Sequence, residues 1–214
     1  AEKGVQMKIL QIGWRGRATK ALKEFDCNVT VVATFDQRAG GLDRKEFADS
    51  IILVHSVRNS EELWLALNEL LDLSVFDLIL GFDEFSLFPA AVISRLVKKQ
   101  SQLKIPLISR MRSKYLQKKI IEEKKIKCAN FELLNDLDAP SLAPSIPFPF
   151  VIKPVSGAGT MHTYKVIDQE DFKEKSKKLT QSGTKTALIE SFVSGKEHCF
   201  DGWVENGKLK FWTC

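Results

Sequence analysis

One lysine and two glycines within ten residues carry the clearest chemistry in this chain. Residues 151–160 read VIKPVSGAGT, a short apolar run that delivers Lys153 into a small loop holding Ser156, Gly157, Gly159 and Thr160. The glycines let backbone N–H groups come close to an anion, the two hydroxyls add donors, and the lysine adds a fixed positive charge beside them. Such a donor set suits phosphate groups like those of a nucleotide. The loop is not of the GxxxxGK[ST] type, because no Gly-Lys-Ser/Thr closes it and the lysine arrives from the strand before the loop. By itself the decapeptide reads equally well as a glycine-rich β-hairpin with an exposed lysine. Its meaning depends on what the rest of the chain brings to it.

The elements that must position this loop follow from hydrophobic periodicity. Between residues 5 and 107, apolar runs at 7–12 (MKILQI), 28–33 (NVTVVA), 50–54 (SIILV) and 76–82 (FDLILGF) alternate with helical stretches at 17–25, 60–73 and 88–99. Leu63, Leu67, Leu70 and Leu71 share one helical face, Ser60 is the expected N-cap, and Glu61 and Glu62 suit a first turn. Pro89 fits a first helical turn. This alternation predicts an open, mostly parallel sheet covered by helices, Rossmann-like in type. Residues 110–127 read as one basic amphipathic helix. The stretch 135–149, with Pro140, Pro144, Pro147 and Pro149, reads as a connection. Strands are then expected at 148–153, 163–167 and 186–190 with a helix near 169–179, an α+β unit. Asn206-Gly207 between alternating apolar positions predicts a two-residue hairpin turn.

Composition bounds the rest. A chain of 214 residues, 44% hydrophobic and 28% charged, is an ordinary globular sequence of one or two domains, and two are expected. Its net charge of +5 fits an anionic ligand, but 32 basic residues against 27 acidic ones are too evenly mixed to require nucleic acid. Cys27, Cys128, Cys199 and Cys214 lie far apart without a Cys-x-x-Cys pair, so reduced thiols are expected in place of a zinc or redox site. No apolar run is long enough for a membrane span and no secretory signal opens the sequence; the cytoplasm is the expected compartment.

Other candidates weaken on inspection. Gly13 and Gly16 follow the first strand and Asp36 the second, yet Trp14 and Arg15 stand where a dinucleotide-binding fingerprint needs its second glycine. A plain turn is favoured there, with an anion-binding turn at residues 13–17 as the alternative. The lysines of residues 110–127 lack an interleaved aromatic set, so a solvated face is favoured over nucleic-acid binding. His55, His162 and His198 read as structural, although His162 follows the loop closely enough to reach a phosphate. Glu84 reads either as facing a substrate crevice or as a helix cap.

Order along the chain adds specificity. Lys114 at a helix start, Lys153 entering the glycine loop, Glu190 ending a strand and Glu197 after Gly195 form a series that closes with IESFVSGKEHCFDGWVENGK at 189–208. With that series the sequence resembles the ATP-grasp superfamily of carboxylate-to-amine or carboxylate-to-thiol ligases, and FDLILGFDEFSLFPAAVISRL at 76–96 resembles the domain that precedes ATP-grasp. The resemblance implies an α/β fold: a Rossmann-like domain at 1–109, an α+β ATP-grasp lid subdomain at 110–192, and the start of a second subdomain at 193–214. It implies that Lys114 and Lys153 contact phosphates, that Ser156, Gly157, Gly159 and Thr160 cover them, and that Glu190 meets the adenine amine. Phe192 and Val193 would line the base and Glu197 the ribose. These roles suit the groups, since carboxylates accept from amines and hydroxyls while lysines favour phosphates.

The same resemblance implies ATP and Mg2+ as cofactors and a small-molecule carboxylate as substrate, with no nucleic acid or membrane partner; a homodimer is compatible with it. Two departures stand out. Ser113 precedes Lys114 where many relatives have Asp, and the family's magnesium ligands and acceptor-binding Arg fall beyond Cys214. The expectation is therefore a fragment, or a site that a partner completes, binding ATP weakly and not turning over alone. No residue is assigned as catalytic or as a metal ligand. The alternative is a non-catalytic or regulatory ATP-binding protein.

Overall fold

The computed structural model of the chain describes residues 6–39, 48–97, 104–137 and 144–214. It comprises two compact units, one of Ala1–Ile126 with Pro154–Met161 and one of Lys127–Lys153 with His162–Cys214. Pro140 and the expected helix end at residue 99 lie outside the described residues.

In the first unit the four apolar runs are strands β1 (Lys8–Ile12), β2 (Asn28–Thr34), β3 (Ser50–Val54) and β4 (Leu78–Gly81). They form one sheet in the order β3-β2-β1-β4, and all three pairings are parallel. Alternate residues of each run point to opposite faces. Ile9, Val29, Val31 and Ala33 join one apolar cluster, while Leu10, Ile12, Val32 and Val54 join another with Leu63, Leu67 and Ile93. A sheet covered on both faces needs continuous apolar strands, which is why these runs do not alternate with polar residues.

The helices are α1 (Gly16–Glu24), the short α2 (Phe35–Ala39), α3 (Ser60–Leu70), α4 (Leu87–Leu96), α5 (Ile105–Arg112) and α6 (Lys114–Glu123). Two expectations are corrected here. The N-cap of α3 is Asn59, not Ser60: its Oδ1 accepts from the Glu61 N–H at 3.0 Å and the Glu62 N–H at 3.4 Å. The single helix expected at 110–127 is two helices that meet at Ser113. That residue is extended (φ −87°, ψ 108°), and its hydroxyl accepts from the Leu116 N–H at 3.2 Å, capping α6. Hydrophobic spacing continues through the break, but the serine side chain competes for the backbone donors and starts a new helix.

The second unit is α+β. Strands β5 (Phe131–Leu134), β6 (Phe150–Pro154), β7 (Tyr164–Val166) and β8 (Ala187–Ser191) make a sheet in the order β5-β8-β6-β7. Helix α7 (Gln169–Gln181) buries Phe172, Ser176 and Leu179. Phe172 and Leu179 join a core with Phe150, Ile152, Val166, Ala187 and Ile189. Asp168 caps α7 by accepting from the Asp171 N–H at 2.8 Å, and Glu170 and Asp171 in the first turn complement the helix dipole. Strand β5 was not anticipated. Strands β9 (Asp201–Glu205) and β10 (Lys208–Thr213) form the expected antiparallel hairpin, with Asn206 and Gly207 both at positive φ (51° and 74°) as a type I′ turn requires.

Candidate functional site

In the first unit, the end of α5 and the cap of α6 place Lys114 against the glycine loop. Its backbone N–H donates to the Val155 carbonyl and its Nζ to the Gly157 carbonyl, both at 2.8 Å. A cap at Ser113 fixes the direction from which Lys114 leaves the helix start. Serine thereby fills the capping role that an aspartate would fill at that place.

The loop needs its glycines for backbone conformation. Gly157 has φ 135° and Gly159 φ 67°, and a Cβ at either would meet no atom within 4 Å. Open space therefore adjoins both residues, so an anion could approach the backbone there. Thr160 (φ 57°) turns its hydroxyl onto the Gly159 carbonyl at 2.7 Å, and Ser156 and Thr160 are exposed. His162 is exposed, also with positive φ.

In the second unit, neighbouring strands β6 and β8 carry Lys153 and Glu190. The Nζ of Lys153 lies 2.9 Å from Oε1 of Glu190, with only 19% and 12% of the two side chains exposed. At the end of β8 the chain is held by two backbone bonds: the Ser191 N–H donates to the Asn130 carbonyl at 2.9 Å, and the Phe192 N–H to the Pro149 carbonyl at 3.2 Å. The ammonium of Lys165 sits 3.9 Å from the centre of the Phe192 ring, a cation–π contact that sequence reading missed. Val193 and Glu197 are exposed in the segment between β8 and β9. The structure thus joins Lys114 to the glycine loop and Lys153 to Glu190, and leaves Glu197 on exposed backbone.

The other candidates resolve into structural parts. After β4 the turn is closed by Asp83, whose Oδ1 accepts from the Phe85 and Ser86 N–H groups at 2.8 and 2.9 Å; Glu84 is exposed, and the N-cap of α4 is Ser86, with no side-chain cap bond. Arg15 Nε lies 3.5 Å from Oδ2 of Asp83. The Gly13 turn is braced by buried Gln11, whose amide donates to the Gly13 carbonyl at 3.0 Å and whose carbonyl accepts from the Thr19 hydroxyl at 3.0 Å. His55 packs its ring against Phe35, and His198 Nδ1 is 4.0 Å from Cys214 Sγ. A groove of about 420 Å³ lined by Phe35, Leu53, His55, Glu62 and Leu70 lies elsewhere in the first unit.

Within the first unit, the open space over two positive-φ glycines and the Lys114 ammonium beside them make a donor set of the kind that suits phosphate. Among the described residues no group of three or more His, Cys, Asp or Glu is arranged to hold a metal. Among them, too, no helix is long and apolar enough to cross a membrane.

Comparison with known proteins now bears on this geometry. Residues 146–213, which contain the glycine loop, Lys153, Glu190 and the hairpin, match the family model of the ATP-grasp domain. No curated protein matches the chain by sequence. Among solved structures, L-amino acid ligase from Bacillus licheniformis is similar with a TM-score of 0.67 at 16% identity, over 89% of this chain and 45% of that one. Biotin carboxylase from Campylobacter jejuni, solved as a β-γ-ATP complex, gives 0.61 at 19% identity over 88% and 46%. N5-carboxyaminoimidazole synthetase from Staphylococcus aureus, solved with ADP, gives 0.59 at 14% identity over 96% and 57%. The chain therefore spans about half the length of these proteins. Residues 146–213 thus match the ATP-grasp domain, and the chain shares the α/β fold of these solved ligases.

Proposed function

We propose that the chain is the nucleotide-binding portion of an ATP-dependent ligase that joins a small-molecule carboxylate to an amine or another nucleophile. In this reading residues 1–109 are the preceding Rossmann-like domain, 110–192 the lid subdomain, and 193–214 the start of the large subdomain. ATP, when bound with Mg2+, supplies the phosphoryl group: a carboxylate oxygen attacks the γ-phosphorus, ADP leaves, and the nucleophile displaces phosphate from the acyl carbon. Lys114 and Lys153 hold and neutralise the phosphates, where a fixed positive charge favours the charge that develops on transfer. Ser156, Gly157, Gly159 and Thr160 cover the phosphates and exclude water. Phe192 and Val193 line the base, Glu190 stands at the hinge beside it, and Glu197 holds the ribose hydroxyls.

The observation that carries this reading is the glycine loop, open over Gly157 and Gly159, tied to Lys114, and inside the segment that matches the ATP-grasp family. Thermal unfolding with added nucleotide tests it. ATP at about ten times its Kd stabilises by about 1.4 kcal/mol, which for a chain of this size raises Tm by roughly 3–6 °C. Lys153→Ala removes the shift. If NADH raises Tm and ATP does not, the site is of another kind.

A further inference from the structure

Both residues of the Lys153–Glu190 pair have roles in the reading above, one on phosphate and one at the base. Their contact with each other says something that those separate roles do not. Lys153 is the penultimate residue of β6 and Glu190 the penultimate residue of β8, and these strands are neighbours in the sheet. The ammonium and carboxylate meet at 2.9 Å, about four-fifths and nine-tenths buried. An ammonium buried to that degree requires a counter-charge, and a lysine on its four-carbon stem has many rotamers from which one must be selected. Glu190 supplies both the charge and the selection. The charge of Glu190 is in this way directed to the lysine through Oε1.

We propose that Glu190 is a positioning residue: it holds the Lys153 ammonium in the direction from which it meets the nucleotide's phosphates, and contributes to nucleotide binding through Lys153 and not through the adenine amine. This rests on the ATP reading for the identity of the ligand, but the tie between the two residues does not. The pairing sets the ammonium in place before any ligand arrives, so less ordering remains for binding itself. Discrimination between bases then falls to the backbone and apolar groups beyond β8, with Phe192 held by its N–H bond to Pro149 and by Lys165 over its ring.

Four proteins distinguish the two roles: wild type, Glu190→Gln, Lys153→Met and the double variant. Binding of ATP and of ITP, which has an oxygen in place of the adenine amine, is followed by NMR titration. A positioning role predicts that Glu190→Gln weakens both nucleotides by roughly tenfold, the scale of one close, largely buried charge pair. The ATP-to-ITP ratio stays constant, and the double variant binds no worse than Lys153→Met. A loss confined to ATP, a double variant additively worse than either single one, or unchanged binding of both nucleotides would overturn the proposal.

Urea denaturation of the same four proteins reads the tie without any ligand. Each single substitution lowers the midpoint, and the double variant lowers it by less than the sum because the second change finds no partner left to lose. If wild type takes up neither nucleotide, the ATP reading fails, and the tie is judged on these midpoints alone: non-additive midpoints keep Glu190 as the tether of Lys153, and additive ones end the proposal.

Discussion

The parallel sheet of the first unit and the β9–β10 hairpin both carry large apolar side chains and are opposite in environment. In the sheet, Val29, Val31, Val32 and Ala33 are inaccessible to solvent in succession, because both faces are covered. In the hairpin, Trp203 is 65% exposed, Phe211 63% and Trp212 59%. Register divides its side chains between two faces. Leu209 opposes Val204 and Trp212 opposes Gly202, with Phe200 stacked on Trp212 at 5.7 Å, so one face is wholly apolar. Phe211 opposes Trp203 on the other, near Glu205 and Lys208, after a bulge between Leu209 and Phe211. A strand sequence with apolar residues on both faces suits a sheet interior, and a two-stranded ribbon is marginal alone. The contrast teaches that turn chemistry closes a hairpin locally, whereas burial must come from a covering layer. The β-α-β alternation supplies that layer for the sheet.

The largest expected effect sets the two regions directly against each other. Ile12→Ala removes a side chain that is fully buried between β1 and its covering helices, and should cost roughly 2–5 kcal/mol in urea denaturation. Trp212→Ser, although it deletes a larger side chain, should change the stability of this chain by about 0.5 kcal/mol or less, since it gives up little buried area. If the two substitutions cost the same, the hairpin is covered in solution and the contrast fails.

What the sequence made legible follows the same division. Uninterrupted apolar runs and the Asn206-Gly207 pair have purely local signatures, and the strands and hairpin lie close to where those signatures put them. Strand β5 is four half-buried residues at a sheet edge, too short to show a period. The break at Ser113 was hidden because helical spacing continues across it. For the candidate site, the glycine loop and Lys153 stand out by residue type alone. The contacts of Lys114 with Val155 and Gly157, and of Lys153 with Glu190, depend on chain segments that meet only in the folded state. The Lys165–Phe192 contact is of the same kind: strand β7 lies beside β6, with Lys165 opposite Val151, and no local pattern announces that its ammonium will reach an aromatic ring beyond β8.

A smaller effect tests how the covering layer is anchored. Helix α3 buries Leu63 and Leu67 against the sheet, and its start depends on the Asn59 side chain. Asn59→Ala should therefore cost about 1 kcal/mol, while Ser60→Ala should be near neutral. Adjacent residues of similar capping ability make this a sharp comparison, because a local reading favours Ser60. Urea midpoints in the opposite order would restore Ser60 as the cap.

The smallest effect concerns the edge of the same sheet and depends on pH. Asp49, just before β3, accepts from the Val29 N–H at 2.7 Å and pairs with Lys23 of α1 at 2.7 Å, joining strand, helix and chain entry. Burial pushes its carboxyl up, but the bonds from Lys23 and Val29 outweigh that and hold it below the ordinary carboxylate value. A folded-state pKa below the unfolded one means that the contribution to stability is present above about pH 3.9 and is lost as pH falls through the lowered value. The side chains are about one-third exposed, so the contribution at neutral pH is discounted to roughly 0.5 kcal/mol. Asp49→Asn should be less stable than wild type by about that amount at pH 7, with the two converging as the pH is lowered below about 4. A difference that persists undiminished at low pH would mean that Asp49 acts through shape alone, and that the sheet edge is held without its charge.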